Sequence, residues 1–114
     1  MSEGLNNLNG RVIMKGRKKL SLVIPCYNEE TTIKGIVEEV LNLASDQLQL
    51  ELVIVDDCSK DRSRQVAKSL AENHPEIKLC FHEVNQGKGA ALRTGFLEAT
   101  GDFVGIQDGA TFRL

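Results

Sequence analysis

From Leu20 onward one theme recurs four times: a short apolar run, a polar turn, then a stretch with helical spacing; the fourth copy has its strand and only residues 109–114 beyond it. Residues 20–24 are an apolar run closed by Pro25, which suits a strand buried on both faces. Residues 29–44 predict a helix with Ile33, Ile36, Val37, Val40 and Leu41 on one face and Asn28 as its N-cap. A second run, 52–55, ends at Asp56-Asp57, and residues 61–73 predict a second helix that faces inward with Val66, Ala67, Leu70 and Ala71 and stops at Pro75. Residues 77–81 predict a third strand, the least buried of the set. Residues 87–100 predict a third helix with Leu92, Phe96 and Ala99 on its core face and Gly101 at its end. The fourth strand, 103–106, leads to Gln107 and Asp108.

Alternation at this spacing predicts parallel βαβ units with right-handed crossovers, hence an α/β fold with a parallel sheet and flanking helices. Such sheets take ligands beyond the carboxyl ends of their strands, where strand order reverses. The turns after the four strands, 25–29, 56–59, 85–89 and 107–108, are therefore expected on one rim.

Bulk properties narrow the function. A chain of 114 residues predicts one domain, and 14 basic against 16 acidic residues argue against a nucleic-acid partner. The three cysteines, Cys26, Cys58 and Cys80, form no CxxC pair. They predict reduced thiols in a cytoplasmic protein rather than a zinc site, and leave a reactive thiol near the rim open. No run approaches the roughly 20 apolar residues of a membrane span, and no secretory signal is evident. Residues 1–19 contain Arg11, Lys15, Arg17, Lys18 and Lys19. They are expected as a flexible basic leader ahead of the domain at 20–114, with peripheral contact to anionic lipid as the functional alternative.

Each rim residue has a chemical and a structural meaning. Asp56 and Asp57 can accept hydrogen bonds from a ribose or base, hold a metal, or cap the next helix. Adjacent residues of an extended segment point to opposite sides, so one can support structure while the other faces a ligand. Tyr27, the single tyrosine, can stack on a base or simply pack. Glu29 sits where a carboxylate favours a helix N-terminus with or without a ligand. Gly87-Lys88-Gly89 opens a helix, where backbone amides and a lysine favour phosphate, with Arg93 one to two turns on. This is neither a P-loop nor a dinucleotide fingerprint. Asp108 is an ordinary turn residue or a ligand for Mg²⁺ or Mn²⁺ on a diphosphate.

The ordered set is more specific than its parts. SLVIPCYNEE at 21–30, VIVDDCSKD at 53–61, NQGKGAALRTG at 85–95 and TGDFVGIQD at 100–108 together resemble the family 2 glycosyltransferases. The likeness is strongest to the subgroup of dolichol-phosphate mannosyltransferases and polyprenyl-phosphate sugar transferases. It implies the nucleotide-binding N-terminal half of a GT-A fold with a Rossmann-like sheet. It also implies that Pro25, Tyr27 and Glu29 line a nucleotide pocket, that Asp57 contacts the base with Asp56 beside it, and that Gly87, Lys88 and Arg93 lie along the nucleotide and its phosphates. Asp108 would be the first carboxylate of the metal motif. The implied reaction moves a sugar from a GDP- or UDP-sugar donor to an acceptor such as a polyprenyl phosphate, at the cytoplasmic face of a membrane, with Mg²⁺ or Mn²⁺.

Two departures stand out. Cys58 occupies a position where the family usually has Gly. After Asp108 the family continues with Ala-Asp, whereas this chain has Gly109-Ala110. The metal site is then incomplete, and residues 20–114 are expected as a truncated or frameshifted domain, inactive in transfer alone. A non-catalytic nucleotide-sugar-binding remnant is the alternative. DNA sequence past codon 108 tests the truncation, and an ordinary stop in a full-length message would count against it. A receiver-like signalling domain fits less well, because here the acidic pair follows the second strand instead of the first. The fourth strand is expected to be an apolar edge that lowers solubility.

Overall fold

The computed structural model describes residues 16–108 with their side chains and the backbone of 5–8, 11–14 and 111–113. In chain order the elements are β1 (Leu5–Leu8), β2 (Arg11–Met14), β3 (Lys18–Cys26), α1 (Ile33–Leu41), β4 (Leu48–Asp56), α2 (Ser63–Asn73), β5 (Ile77–Phe81), α3 (Lys88–Glu98), β6 (Phe103–Asp108) and β7 (Thr111–Arg113). The main sheet has the order β5-β4-β3-β6-β7; the first four strands are parallel and β7 pairs antiparallel with β6.

Alternation along the strands separates two apolar layers. Leu20, Leu22, Ile24 and Cys26 of β3 join Leu50, Leu52 and Ile54 of β4 under α1 and α2, which contribute Ile33, Val37, Val40, Ala67 and Leu70. On the other side Val23, Val53 and Val55 meet Ala91 of α3. A strand covered on both faces reads as a continuous apolar run, which is why 20–24 and 52–55 stand out in the sequence. β5 is an edge strand, but it is not the least buried of the set: its residues are buried or half-buried, whereas β6 begins with exposed Phe103 and Val104.

Several boundaries differ from expectation. β3 and β4 each run nine residues. Their ladder continues outward through Lys18 opposite Leu48 and Lys19 opposite Gln49, because backbone pairing does not require apolar side chains. Strand structure therefore begins inside the segment expected as a flexible leader, which also holds the antiparallel β1–β2 pair. The side chains of Arg11 and Lys15 lie outside the described residues. α1 begins at Ile33, after a turn in which Thr32 N–H and Ile33 N–H both donate to Glu29 O. Asn28 is thus not its cap.

The core face of α3 is corrected in part: Leu92 and Ala99 pack against the layer of Val23, Val53 and Val55 as expected, and Phe96 does not. Ala91 and Gly95 are its buried residues, whereas Phe96 is 45% exposed. Small residues win because α3 lies close against the sheet: a Cβ at Gly95 would fall 2.2 Å from Val23 Cγ1. The fourth strand is a bare edge only in part. β7 covers Ile106 to Asp108, while Phe103 and Val104 remain exposed.

Candidate functional site

Strand order reverses at β3. The chain steps from β3 to β4 and β5, then returns to β3's other side as β6. At the carboxyl ends of these strands lies a cleft of about 290 Å³. β3 and the turn after it supply Pro25, Cys26, Tyr27 and Glu29; the end of β4 supplies Asp57; the β5–α3 loop and α3 supply Asn85, Gly87, Lys88 and Ala91; β6 supplies Asp108. Tyr27, Asp57, Lys88 and Asp108 thus share one crevice. Asp56 and Arg93 are not among its lining residues.

The aspartate pair divides its work as alternation predicts. Asp56 has no exposed surface. It accepts Ser59 N–H at 3.1 Å and Ser59 Oγ–H at 2.5 Å, and pairs with Arg64 Nε at 3.3 Å. Arg64 also lies over the Phe81 ring, 4.5 Å from its centroid, and donates to His82 O at 3.2 Å. Asp56 therefore clamps the ends of β4 and β5 and the turn toward α2.

Asp57 turns the other way. Its Oδ1 accepts Gln86 N–H at 2.8 Å and lies 2.8 Å from His82 Nδ1, while Oδ2 accepts Gly87 N–H at 2.8 Å. Asn85 Nδ2 donates to its backbone oxygen at 3.1 Å. Burial works to raise the Asp57 pKa. The Gln86 amide, His82 and the Gly87 amide overcome it and hold the carboxyl below the ordinary aspartate value. A carboxylate offers about four acceptor positions. Three are filled by the loop and His82, so one on Oδ2 is left for a ligand in the cleft.

The loops that shape the cleft use uncommon backbone. Asn28, Cys58 and Gly87 have φ of 53°, 59° and 93°. Asn28 suits the left-handed region, since its Oδ1 accepts Lys60 N–H at 2.8 Å and its N–H donates to Ser59 Oγ at 3.0 Å, joining two loops of the rim. Glu29 N–H donates to Ser63 Oγ at 2.6 Å. At Gly87 the positive φ lets the chain aim its N–H at Asp57 and then start α3 at Lys88. Cys26 in the cleft wall is no reactive thiol: burial first, then the Asp56 charge, pushes its pKa up to about 12.

Lys88 Nζ contacts Asp108 Oδ2 across the mouth of the cleft. Asp108 is half-exposed, and among the described residues no group of three or more His, Cys, Asp or Glu side chains is arranged for a metal. One hard carboxylate beside a lysine fits a divalent ion held jointly with a diphosphate, and does not fit an all-protein metal cage.

Sequence reasoning missed His82. It is 7% exposed and joins Asp57 to Thr94, with Nε2 2.8 Å from Thr94 Oγ1. The available signal was its place directly after the third strand, the position that Asp57 takes after the second.

A parallel α/β sheet with an acidic group, a glycine-opened helix and a lysine gathered at its switch point defines a Rossmann-like α/β domain with a cleft where such sheets take ligands. Comparison with known proteins narrows the class. Residues 21–109 match the Glycosyl transferase family 2 pattern, and the chain belongs to that family. It is 40% identical over 100 residues to a dolichyl-phosphate beta-glucosyltransferase of Trichomonas vaginalis, covering 81% of this chain and 31% of that protein. It is 34% identical over 90 residues to a dolichol-phosphate mannosyltransferase of Pyrococcus furiosus, covering 79% and 25%. Among solved structures, a mannosyltransferase of Pyrobaculum calidifontis in complex with GDP-Man and Mn²⁺ superposes with a TM-score of 0.71 at 31% identity, covering 81% of this chain and 27% of that one. TarS of S. aureus (residues 1–349) in complex with UDP-GlcNAc gives 0.70 at 29% identity, covering 79% and 26%. The chain thus spans about a third or less of the length of these curated relatives. The sheet and its flanking helices are those of the GT-A fold. Among the described residues no helix is long and apolar enough to cross a membrane.

Proposed function

We propose that this chain is the donor-binding half of a glycosyltransferase that moves a sugar from a GDP- or UDP-sugar to a polyprenyl phosphate. The observation that carries this proposal is the convergence of Tyr27, Asp57, Lys88 and Asp108 on one cleft at the switch point. Family membership and the donors bound by the two structural neighbours support it.

In this reading Pro25 and Tyr27 present a rigid apolar and aromatic wall to the base. The free Oδ2 position of Asp57 accepts a hydrogen bond from the nucleoside. Gly87 leaves room for close approach, and the first amides of α3 with Lys88 attract the diphosphate. Glu29 and Asp56 shape the loops; Arg93, exposed on α3, adds positive charge within reach of the incoming donor. Asp108 would hold Mg²⁺ or Mn²⁺ together with the diphosphate, and such an ion neutralises charge on a departing nucleoside diphosphate. We infer a cytoplasmic location at the membrane face where a polyprenyl phosphate is met, with residues 1–19 as the basic segment ahead of the domain at 20–114.

The chain alone is expected to bind donor without transferring sugar. Calorimetric titration with GDP- and UDP-sugars, with and without Mn²⁺, tests the first part, and a transfer assay to a polyprenyl phosphate tests the second. Absence of binding to both nucleotide classes would overturn the donor-site proposal. Turnover by the isolated chain would overturn the inactive-alone proposal. The non-catalytic remnant becomes the better account if a longer product of the same locus also binds without transfer.

A further inference from the structure

Resting on the nucleotide-cleft proposal, we propose that His82 is a positioning residue: it locks the Asp57 carboxylate, and through it the Gln86 and Gly87 amides, while Thr94 anchors the ring to α3. His82 is buried and does not itself line the cleft. Its two ring nitrogens each lie 2.8 Å from a polar side-chain atom, Asp57 Oδ1 on one side and Thr94 Oγ1 on the other. An ionised Asp57 can only accept, so Nδ1 carries a proton. In the neutral ring Nε2 then accepts the Thr94 hydroxyl, and the chain α3 hydroxyl to imidazole to carboxylate is directional.

The consequence falls on the β5–α3 loop. Glu83, Val84, Asn85 and Gln86 are exposed and belong to no helix or strand. This stretch is held at its far end by Asp57, which receives Gln86 N–H, Gly87 N–H and Asn85 Nδ2–H. The same loop delivers Gly87 and Lys88 to the cleft. A carboxylate with one oxygen half-released can rotate, and the amides aimed at it then lose their fixed target. His82 therefore acts on the phosphate side of the cleft through Asp57, without touching a ligand.

Three variants of the full chain separate this role from generic packing: His82→Leu, His82→Asn and Thr94→Val. The side-chain amide in His82→Asn can reproduce the Nδ1 donor but not the Nε2 end. Two measurements are made on each: dissociation constants for GDP and UDP by calorimetry, and ligand-free amide exchange at Gln86 and Gly87 by NMR. His82→Leu is expected to weaken binding about tenfold and to speed exchange at both amides, whereas His82→Asn stays within about threefold and Thr94→Val within two- to threefold. Leucine and asparagine variants that bind equally well, or equally badly, would overturn the proposal. So would exchange at Gln86 and Gly87 that ignores the His82 substitutions. If wild type binds neither nucleotide while exchange still follows those substitutions, the nucleotide proposal falls and the positioning role stands. Should His82→Leu fail to fold, slowed exchange in His82→Asn relative to His82→Ala supports the role, and equal exchange in the two overturns it.

Discussion

Two buried carboxylates stand near opposite ends of β4, and they are put to different use. Glu51 is 8% exposed and Asp57 3%. Glu51 accepts Ser21 Oγ–H at 2.7 Å, Thr100 N–H at 2.9 Å and Thr100 Oγ1–H at 3.0 Å, with Lys19 and Lys78 ammonium groups at 3.6 and 3.7 Å. Those partners come from β3, from the α3–β6 connection and from β5, so Glu51 staples the frame. Two of Asp57's three carboxylate partners are instead backbone amides of a single exposed loop. A carboxylate fed by the side chains of several strands fixes the sheet, and one fed by the amides of a loop fixes the opening beside it.

Substitution at Glu51 separates the two roles most strongly. Glu51→Ala is expected to lower unfolding free energy by roughly 3–5 kcal/mol, because it strands the Ser21 and Thr100 groups and two lysines. Nucleotide affinity of the molecules that remain folded should not change. Denaturant unfolding and calorimetry on the same samples check both parts; a loss of affinity without a loss of stability would reverse the assignment.

Acid probes the same contrast. Burial tends to raise the Glu51 pKa, but hydrogen bonds from Ser21 and Thr100 and the charge of Lys19 lower it from 4.5 to about 2. A depressed carboxylate stabilises the fold fully above its unfolded pKa, and that contribution fades as pH falls from about 4.5 to 2. The expected loss across this window is about 3 kcal/mol. Asp57 is shifted in the same direction. Glu51→Gln should therefore flatten the acid limb of a stability–pH profile without abolishing it. A profile identical to wild type would show that Glu51 is not the group responsible.

Asp57→Asn is the converse probe and a gentler one for the fold. It keeps an acceptor for one amide and sets an NH₂ against another, so about 1–2 kcal/mol of stability is expected to go. Affinity for GDP or UDP should fall about tenfold, the reverse of the Glu51 pattern. Equal loss of stability at both sites with affinity intact would dissolve the distinction.

The rim was legible in the sequence because its parts are local: each polar cluster directly follows an apolar run, and parallel topology brings the run ends together. The buried faces of α1 and α2 were legible for the same reason, as large apolar residues mark them. The face of α3 was legible only in part: Leu92 and Ala99 pack inward as expected, but the buried Ala91 and Gly95 carry almost no hydrophobic signal. Strand ends at Lys18 and Leu48 were hidden because pairing is a property of the backbone. Only the place of His82 after the third strand was legible; its role was not, because its partners are 25 and 12 residues away. The division of labour between Asp56 and Asp57 could be foreseen from alternation as a principle, and the family resemblance named Asp57 as the one to face the ligand; Asp57 lines the cleft and Asp56 does not.

The turn at Cys58 gives the smallest and most local test. Cys58 has a φ of 59°, in the left-handed region that L residues with a Cβ enter at a cost of roughly 1–2 kcal/mol. No residue of β4 near Glu51 carries such strain, since the positive-φ residues described are Gly16, Asn28, Cys58 and Gly87. The glycine that the family resemblance implies at this position would have a physical reason. Cys58→Gly relieves the strain, but it loosens the unfolded chain and removes the Sγ–H contact to Glu83 O at 3.4 Å. The net expectation is a gain of about 0.5–1 kcal/mol in stability. Nucleotide affinity should be unchanged, because the backbone already holds the shape that glycine prefers. Cys58→Ala keeps the Cβ and loses the sulfur, so it should be no more stable than wild type. If alanine stabilises as much as glycine does, the sulfur rather than the backbone is what burdens the turn beside Asp57.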